Sequence, residues 1–252
     1  MGLGRRKIAL SDARAWVFNR MAAEYDARPP YPPRLLDALA ELAGPAGARV
    51  VDVGAGIGHV ALPLAARGLA VTAVEPALAM LERLRSAARE QGLSVQALHA
   101  QAEALPVAAA SAELVVISDA LHFLDAELSA LEIARVLAPR GALAVVTCEF
   151  AATPFMDALS ALMHEAAPRR LRAIDGPLAQ LSAVSGVPLS APLELVDLTP
   201  LDAAQLERIL RTISFIGPAM NPARFAAFRE RVKALGQPAW ARRFTLRSGR
   251  KQ

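Results

Sequence analysis

Between Val50 and His59 an apolar stretch runs directly into three glycines at alternate positions, Val-Val-Asp-Val-Gly-Ala-Gly-Ile-Gly-His, and this stretch constrains the fold more than any other. Glycine has no Cβ, so the backbone can turn sharply and come close to a ligand. A helix that starts after such a turn presents N–H groups with no intrahelical partner. Strand, glycine turn and helix in succession predict a small-ligand cradle at the edge of an α/β sheet. The spacing departs from the dinucleotide fingerprint G-x-G-x-x-G. Gly58 follows Gly54 by four residues, and an acid, Asp52, lies just inside the strand.

The same alternation continues along the chain. Segments 49–53, 71–75, 94–98, 114–118 and 142–148 read as strands; 59–67, 77–91 and 126–137 read as helices, the first two closed by Gly68 and Gly92. Repeated strand then helix implies parallel strands joined by crossovers, and the unbroken Leu114-Val115-Val116-Ile117 suits a sheet covered on both faces. Helices are expected at 11–25 and 32–42 before this core and at 154–171 after it. The Gly-, Pro- and Ser-rich segment 175–192 reads as loop with broken helix. A strand at 193–198, helices at 202–212 and 222–235 and a last strand at 240–246 complete the pattern.

Composition excludes several classes. Hydrophobic residues make up 54% of the 252, yet no apolar run approaches the roughly 18 to 20 residues of a membrane span, so the apolar content is core. Arg5, Arg6 and Lys7 are followed only by Ile8-Ala9-Leu10, too short for a signal peptide; Gly2 has Arg6 where a myristoylation signal carries Ser or Thr. A cytoplasmic protein with no membrane partner is expected. The single cysteine, Cys148, excludes an internal disulfide and a cysteine metal cage, and it reads as a small buried hydrophobe near a strand end. None of His59, His99, His122 and His164 pairs at metal-ligand spacing, so no metal is expected. Net charge is only +4; Arg242, Arg243, Arg247, Arg250 and Lys251 cluster without interleaved aromatics, a solvated basic end rather than a nucleic-acid surface.

Taken in order, Asp52-Val53-Gly54-Ala55-Gly56-Ile57-Gly58, Glu75-Pro76 seventeen residues after the last glycine, Gln101-Ala102-Glu103-Ala104-Leu105-Pro106, and Ser118-Asp119-Ala120-Leu121-His122-Phe123 resemble the motifs of class I S-adenosylmethionine (SAM) methyltransferases. A carboxylate at the position of Glu75 can accept both hydroxyls of an adenosine ribose, in NAD as well as in SAM. The resemblance implies that the loop after the third strand meets adenine. Gln101 stands where the family has an acid, and its amide oxygen can still accept from the adenine amino group; Glu103 is expected to order that loop. Glu113 replaces the usual Asp of the preceding strand motif. Tyr25-Asp26-Ala27-Arg28-Pro29-Pro30-Tyr31-Pro32 resembles the entry segment of small-molecule members near trans-aconitate methyltransferase, which folds over the methionine end of SAM. That likeness implies roles for Tyr25, Arg28 and Tyr31 beside Asp52, Gly54, Ala55, Gly56, Gly58, Glu75, Pro76, Gln101, Ala102, Glu103, Ser118 and Asp119. Leu210-Arg211-Thr212-Ile213-Ser214-Phe215 resembles a pocket segment of that branch.

His122 follows the fourth strand, at the edge where open α/β sheets bind ligands, and an imidazole there can remove an acceptor proton or simply shape the pocket. His59, His99 and His164 read as structural. Tyr31, His122, Phe123, Phe155, Met156, Leu159, Met163, Ser214 and Phe215 are the expected pocket wall, although the apolar ones equally suit a lid core; Arg169, Arg170 and Arg172 leave room for an acidic acceptor. The resemblance thus implies a single Rossmann-like α/β domain with a seven-stranded, mostly parallel sheet, helices on both faces and a helical lid. Its parts are a lid at 1–48, a cofactor core at 49–148, an insertion at 149–192 and the rest of the sheet at 193–252. The expected activity is methyl transfer from SAM to a small-molecule acceptor, apolar, aromatic or carboxylate-bearing, leaving S-adenosylhomocysteine, in a monomer or homodimer. An RNA or protein methyltransferase lacks support, since the Asn/Asp-Pro-Pro-Tyr type of motif is missing after the fourth strand. A non-catalytic SAM-binding scaffold and a dinucleotide dehydrogenase are the other readings.

Overall fold

The computed structural model describes residues 17–168 and 174–252. The expected start of the first helix at 11–16, the basic residues 5–7, Gly2, and Arg169, Arg170 and Arg172 lie outside the described residues.

The strands β1 (Arg49–Val53), β2 (Ala70–Val74), β3 (Val95–Leu98), β4 (Ala112–Ser118), β5 (Leu137–Phe150), β6 (Leu193–Pro200) and β7 (Ala239–Arg250) form one sheet in the order β3-β2-β1-β4-β5-β7-β6. The first five are mutually parallel. β7 runs antiparallel between β5 and β6, with Cys148 opposite Phe244 and Phe150 opposite Arg242. Leu114 to Ile117 on central β4 are fully buried, as strands covered on both faces must be.

Helices α1 (Val17–Met21), α2 (Pro33–Ala43), α3 (Ala61–Ala66), α4 (Leu78–Glu90), α5 (Ala126–Val136), α6 (Pro154–Ala166), α7 (Asp175–Ser185), α8 (Ala203–Arg211) and α9 (Pro222–Lys233) surround the sheet. Leu35 and Leu39 of α2, Leu64 of α3 and Leu84 of α4 pack on one face of the sheet; Ile133 of α5 and Leu181 of α7 pack on the other. A separate core joins Met156, Leu159 and Met163 of α6 to Ile209 and Leu210 of α8, Phe225 and Phe228 of α9, and Trp240. This is the lid. A fourth cluster seats Met21 on Ile57, Ala77 and Met80, so α1 lies against the glycine turn and α4.

Four elements differ from expectation. Segment 175–185 is a regular helix: Gly176 and Pro177 fall in its first turn, where proline's missing N–H is harmless, and Gly186 at φ +70° closes it. Helix α3 begins at Ala61 because turn continues through Val60. The first helix is short, passing at Met21 into a 3₁₀ segment, Ala22–Ala27. β5 reaches back to Leu137 through an irregularity in its pairing with β4, with Arg140 at φ +62°. Among the described residues no helix is long and apolar enough to cross a membrane, and no cluster of His, Cys, Asp and Glu could hold a metal ion.

Candidate functional site

The carboxyl ends of β1, β2, β4 and β5 open into a cavity of about 420 Å³, roofed by residues 18–31 and by the turn after α8. Ligands bind at this edge in open α/β sheets.

At one end stands Glu75, just past β2 and only 6% exposed. Its Oε2 accepts from the Gly56 N–H at 2.8 Å and its Oε1 from the Ala77 N–H at 2.7 Å. Burial pushes its pKa up, and the two N–H donors oppose that. Each oxygen retains acceptor capacity for a further donor. Gly56 is at φ +56° with no atom within 4 Å of where a Cβ would lie, so its open side belongs to the cavity. A Cβ on Gly54 would come within 2.7 Å of the Ala120 Cβ. Gly58 departs from the expectation of cofactor contact. It does not border the cavity, and a Cβ there would meet Leu62 at 2.8 Å and Leu84 at 3.1 Å, so it serves close packing of α3 and α4.

Three buried polar atoms of cavity-lining residues have no protein partner, Oδ2 of Asp52, Nε2 of Gln101 and Nε of Arg242. Burial pushes the Asp52 carboxyl up to about 7, against the Ala61 N–H. Unpartnered buried polar groups cost free energy, so a ligand that supplies partners gains by binding here. Ala55, Pro76, Ala102 and Glu103 also line this end. Glu103 orders its loop by accepting from the Asp125 N–H at 2.8 Å. Glu113 lies apart, paired with Arg49.

Midway, Ser118 Oγ donates to the Tyr31 hydroxyl at 2.9 Å, and Asp119 holds a positive φ of 50°, a conformation that favours glycine. Arg28 donates from Nε to Thr212 Oγ1 and from Nη2 to the Thr212 carbonyl, both at 2.9 Å, with its guanidinium 4.5 Å from the Tyr25 ring centre. Burial raises the phenol pKa of Tyr25 and of Tyr31. His122, Phe123, Ser214 and Phe215 also line the cavity, with the His122 ring 3.9 Å from that of Phe123, which lies edge-on to Phe18 at 5.1 Å. Phe155, Met156, Leu159 and Met163 do not: they lie in or against the lid core, where their apolar spacing on α6 faces α8 and α9.

Several wall residues escaped the sequence reading. His59 sits 6.0 Å from Tyr25 and 6.1 Å from Tyr31, ring centre to ring centre, and burial together with Arg28 and Arg242 lowers its pKa to about 4. Its position beside Gly58 was the available signal. Cys148 borders the cavity between Thr147 and Glu149, its thiol pushed up to about 12 by burial. Arg242 is not part of a solvated basic end; it is 5% exposed and reaches the cavity wall. Trp240, Arg242, Phe244 and Leu246 alternate along β7 and all are buried, so the period of two already placed Arg242 on the inward face.

Residues 51–145 match a family model described as a methyltransferase domain. A protein of Mycobacterium tuberculosis named as an uncharacterized methyltransferase is 38% identical over 148 residues, 58% of this chain and 55% of that protein. The chain thus spans about half the length of that curated relative. A ubiquinone biosynthesis O-methyltransferase of Methylocella silvestris is 40% identical over 80 residues, 31% of each chain. Among solved structures, the [4+2]-cyclase SpnF superposes with a TM-score of 0.60 at 19% identity, over 97% of this chain and 96% of that one, a likeness of fold. Segment 51–145, with its glycine turn closed by Glu75, is thus similar to a methyltransferase domain, and it is set in a sheet of order β3-β2-β1-β4-β5-β7-β6.

Proposed function

We propose that this chain transfers a methyl group from SAM to a small-molecule acceptor that enters between the lid and the carboxyl ends of β4 and β5. The observation that supports this best is the Gly56–Glu75 arrangement. A buried carboxylate held in place by two backbone N–H groups faces a cavity wall left open by a left-handed glycine. Glu75 would hold the ribose hydroxyls, Gln101 and the Ala102 N–H the adenine, and Arg28 the methionine carboxylate. Asp52, with its unpartnered oxygen, would accept from the ammonium group. Bound SAM supplies an electrophilic methyl carbon on a positively charged sulfur.

The chain's own task is then alignment and exclusion of water. Positioning of this kind can supply roughly 7 to 11 kcal/mol of barrier reduction. The roof residues Tyr25, Arg28 and Tyr31 and the adjoining turn from Thr212 to Phe215, joined through Arg28 and Thr212, together would exclude solvent. His122 would take the acceptor's proton at its imidazole. Phe123, Phe150, Phe215 and Trp240 add aromatic surface to the cavity lining, which suits an apolar or aromatic acceptor.

The ubiquinone enzyme among the relatives acts, by its name, on a small molecule, which supports the acceptor class. A fold neighbour named as a [4+2]-cyclase shows that this architecture does not dictate methyl transfer, since chemistry belongs to the site. Calorimetric titration with SAM and with NAD side by side tests the cofactor reading. Binding of SAM alone is expected; binding of NAD alone overturns it.

A further inference from the structure

We propose that Arg242 and Asp197, facing each other on β7 and β6, are positioning residues that fix the Pro29-Pro30 turn and through it hold Arg28 and Tyr31 over the cavity. The proposal rests on the SAM reading above for its effect on binding, and on the turn itself for its effect on order.

Two consecutive prolines have no N–H between them, so this turn can be tied down only through its carbonyl oxygens. Both are taken by one side chain. Arg242 Nη1 donates to the Pro29 carbonyl at 2.8 Å and Nη2 to the Pro30 carbonyl at 2.7 Å, while Nη2 also meets the Asp197 carboxylate. The flanking residues point to the site: Arg28 to Thr212, and Tyr31 to Ser118 at the end of β4. A roof that carries two cavity-wall side chains is thus fastened to the antiparallel arm of the sheet by this guanidinium, beside a ring contact of Tyr31 with Phe244 at 5.0 Å.

The residue type fits this task. A cation on the inward face of a strand, between Trp240 and Phe244, is costly unless it is paired and hydrogen-bonded. An ammonium cannot present the flat fork that serves two adjacent carbonyls and a carboxylate at once. The guanidinium carbon also lies 4.9 Å from the centre of the Phe244 ring, which fixes its plane from below. The pair gives edge strand β6 a purpose. Its Val196 and Leu198 are 67% and 59% exposed, so β6 contributes little core from that face, whereas Asp197 supplies the counter-charge that lets Arg242 remain inside.

The test uses Arg242→Met, which keeps length and loses every donor, Arg242→Lys, Asp197→Asn, and Arg243→Met as an exposed neighbour. Hydrogen exchange at the Arg28, Tyr31 and Arg34 amides, the N–H groups that this proline-rich stretch retains, reads the turn without any ligand, and calorimetry reads SAM affinity. Arg242→Met is expected to speed exchange in that segment and to raise the SAM Kd on the order of 10- to 100-fold. Arg242→Lys recovers little, Asp197→Asn shifts both readouts the same way by less, and Arg243→Met changes neither. In an Arg28→Ala background Arg242→Met adds little further loss, because both act through one turn. Unchanged exchange in folded Arg242→Met overturns the proposal, as does a loss of affinity fully additive with Arg28→Ala. Should Arg242→Met not fold, Asp197→Asn decides on the same two readouts. Faster exchange with no SAM binding by the parent protein upholds the turn and overturns the cofactor reading instead.

Discussion

Glu75, Asp52 and His122 carry the proposed chemistry, and each makes a separable prediction. Glu75→Ala removes the acceptor expected to hold the ribose; at about 1.5 to 3 kcal/mol for hydrogen bonds to a charged group, SAM affinity falls about 10- to 150-fold by calorimetry. Asp52 makes a prediction about pH. Its carboxyl is raised to about 7 in the folded protein against 3.8 for the free group, so the folded state binds the proton more tightly. Its contribution to stability is full below about pH 4 and is lost as pH rises through about 7. Denaturation of ligand-free protein across that range shows it as a decline that Asp52→Asn flattens, relative to the parent. For His122→Ala, removal of a general base lowers kcat by roughly 100- to 10,000-fold with SAM affinity close to that of the parent, whereas a pocket-shaping role mainly raises the acceptor KM. The motif positions of Asp52, Gly56, Glu75, Gln101 and Ser118 were legible in the sequence because each lies within three residues of a strand end, and a strand end fixes where the residues around it lie. His59 and Arg242 were not. Their places in the wall depend on Tyr25, Tyr31 and Pro29-Pro30 folding back from far away in the chain.

The roof segment 17–31 is held by contacts of mixed strength. Met21 is buried against Ile57 and Met80, whereas the outer links are exposed ion pairs, Arg208 with Glu24 at 2.7 Å and Asp26 at 2.8 Å and Arg83 with Asp26 at 3.4 Å. Exposed pairs of this kind contribute about 0 to 1 kcal/mol each. A short helix and a 3₁₀ segment so fastened open at low cost. Hydrogen exchange in 17–31 is therefore expected to slow when SAM binds; equal exchange with and without SAM would mean a roof already closed. Helix α6 shows how an apolar pattern misleads at this scale. Phe155, Met156, Leu159 and Met163 fit a pocket wall or a helix–helix core equally well by spacing, and only the partners on α8 and α9 decide for the core. Helix α7 shows the converse: Gly176 and Pro177 break a helix interior but suit a first turn, and position within the element cannot be read before its start is known.

Across the whole molecule, the alternation of strand and helix made the parallel half of the sheet legible, since each crossover leaves little choice of direction. The order β5-β7-β6 was not derivable from spacing, because an antiparallel insertion depends on pairing between strands far apart in sequence. That arm closes the cavity on the side away from Glu75 and carries Trp240 and Arg242 into its wall, so the lid and the sheet meet at one place. A cavity enclosed in this way, lined by the Glu75 carboxylate and by several aromatic rings, suits the proposed alignment of two small molecules. The most direct measurement is mass spectrometry of a metabolite library incubated with the protein and SAM carrying an isotopically labelled methyl group. The account predicts a small molecule that gains the labelled methyl in step with the appearance of S-adenosylhomocysteine, and that gain falls about 5- to 75-fold in Glu75→Ala at SAM concentrations near the parent Kd. Binding of SAM with no labelled product and no S-adenosylhomocysteine, while a library component is rearranged or left untouched, would contradict it.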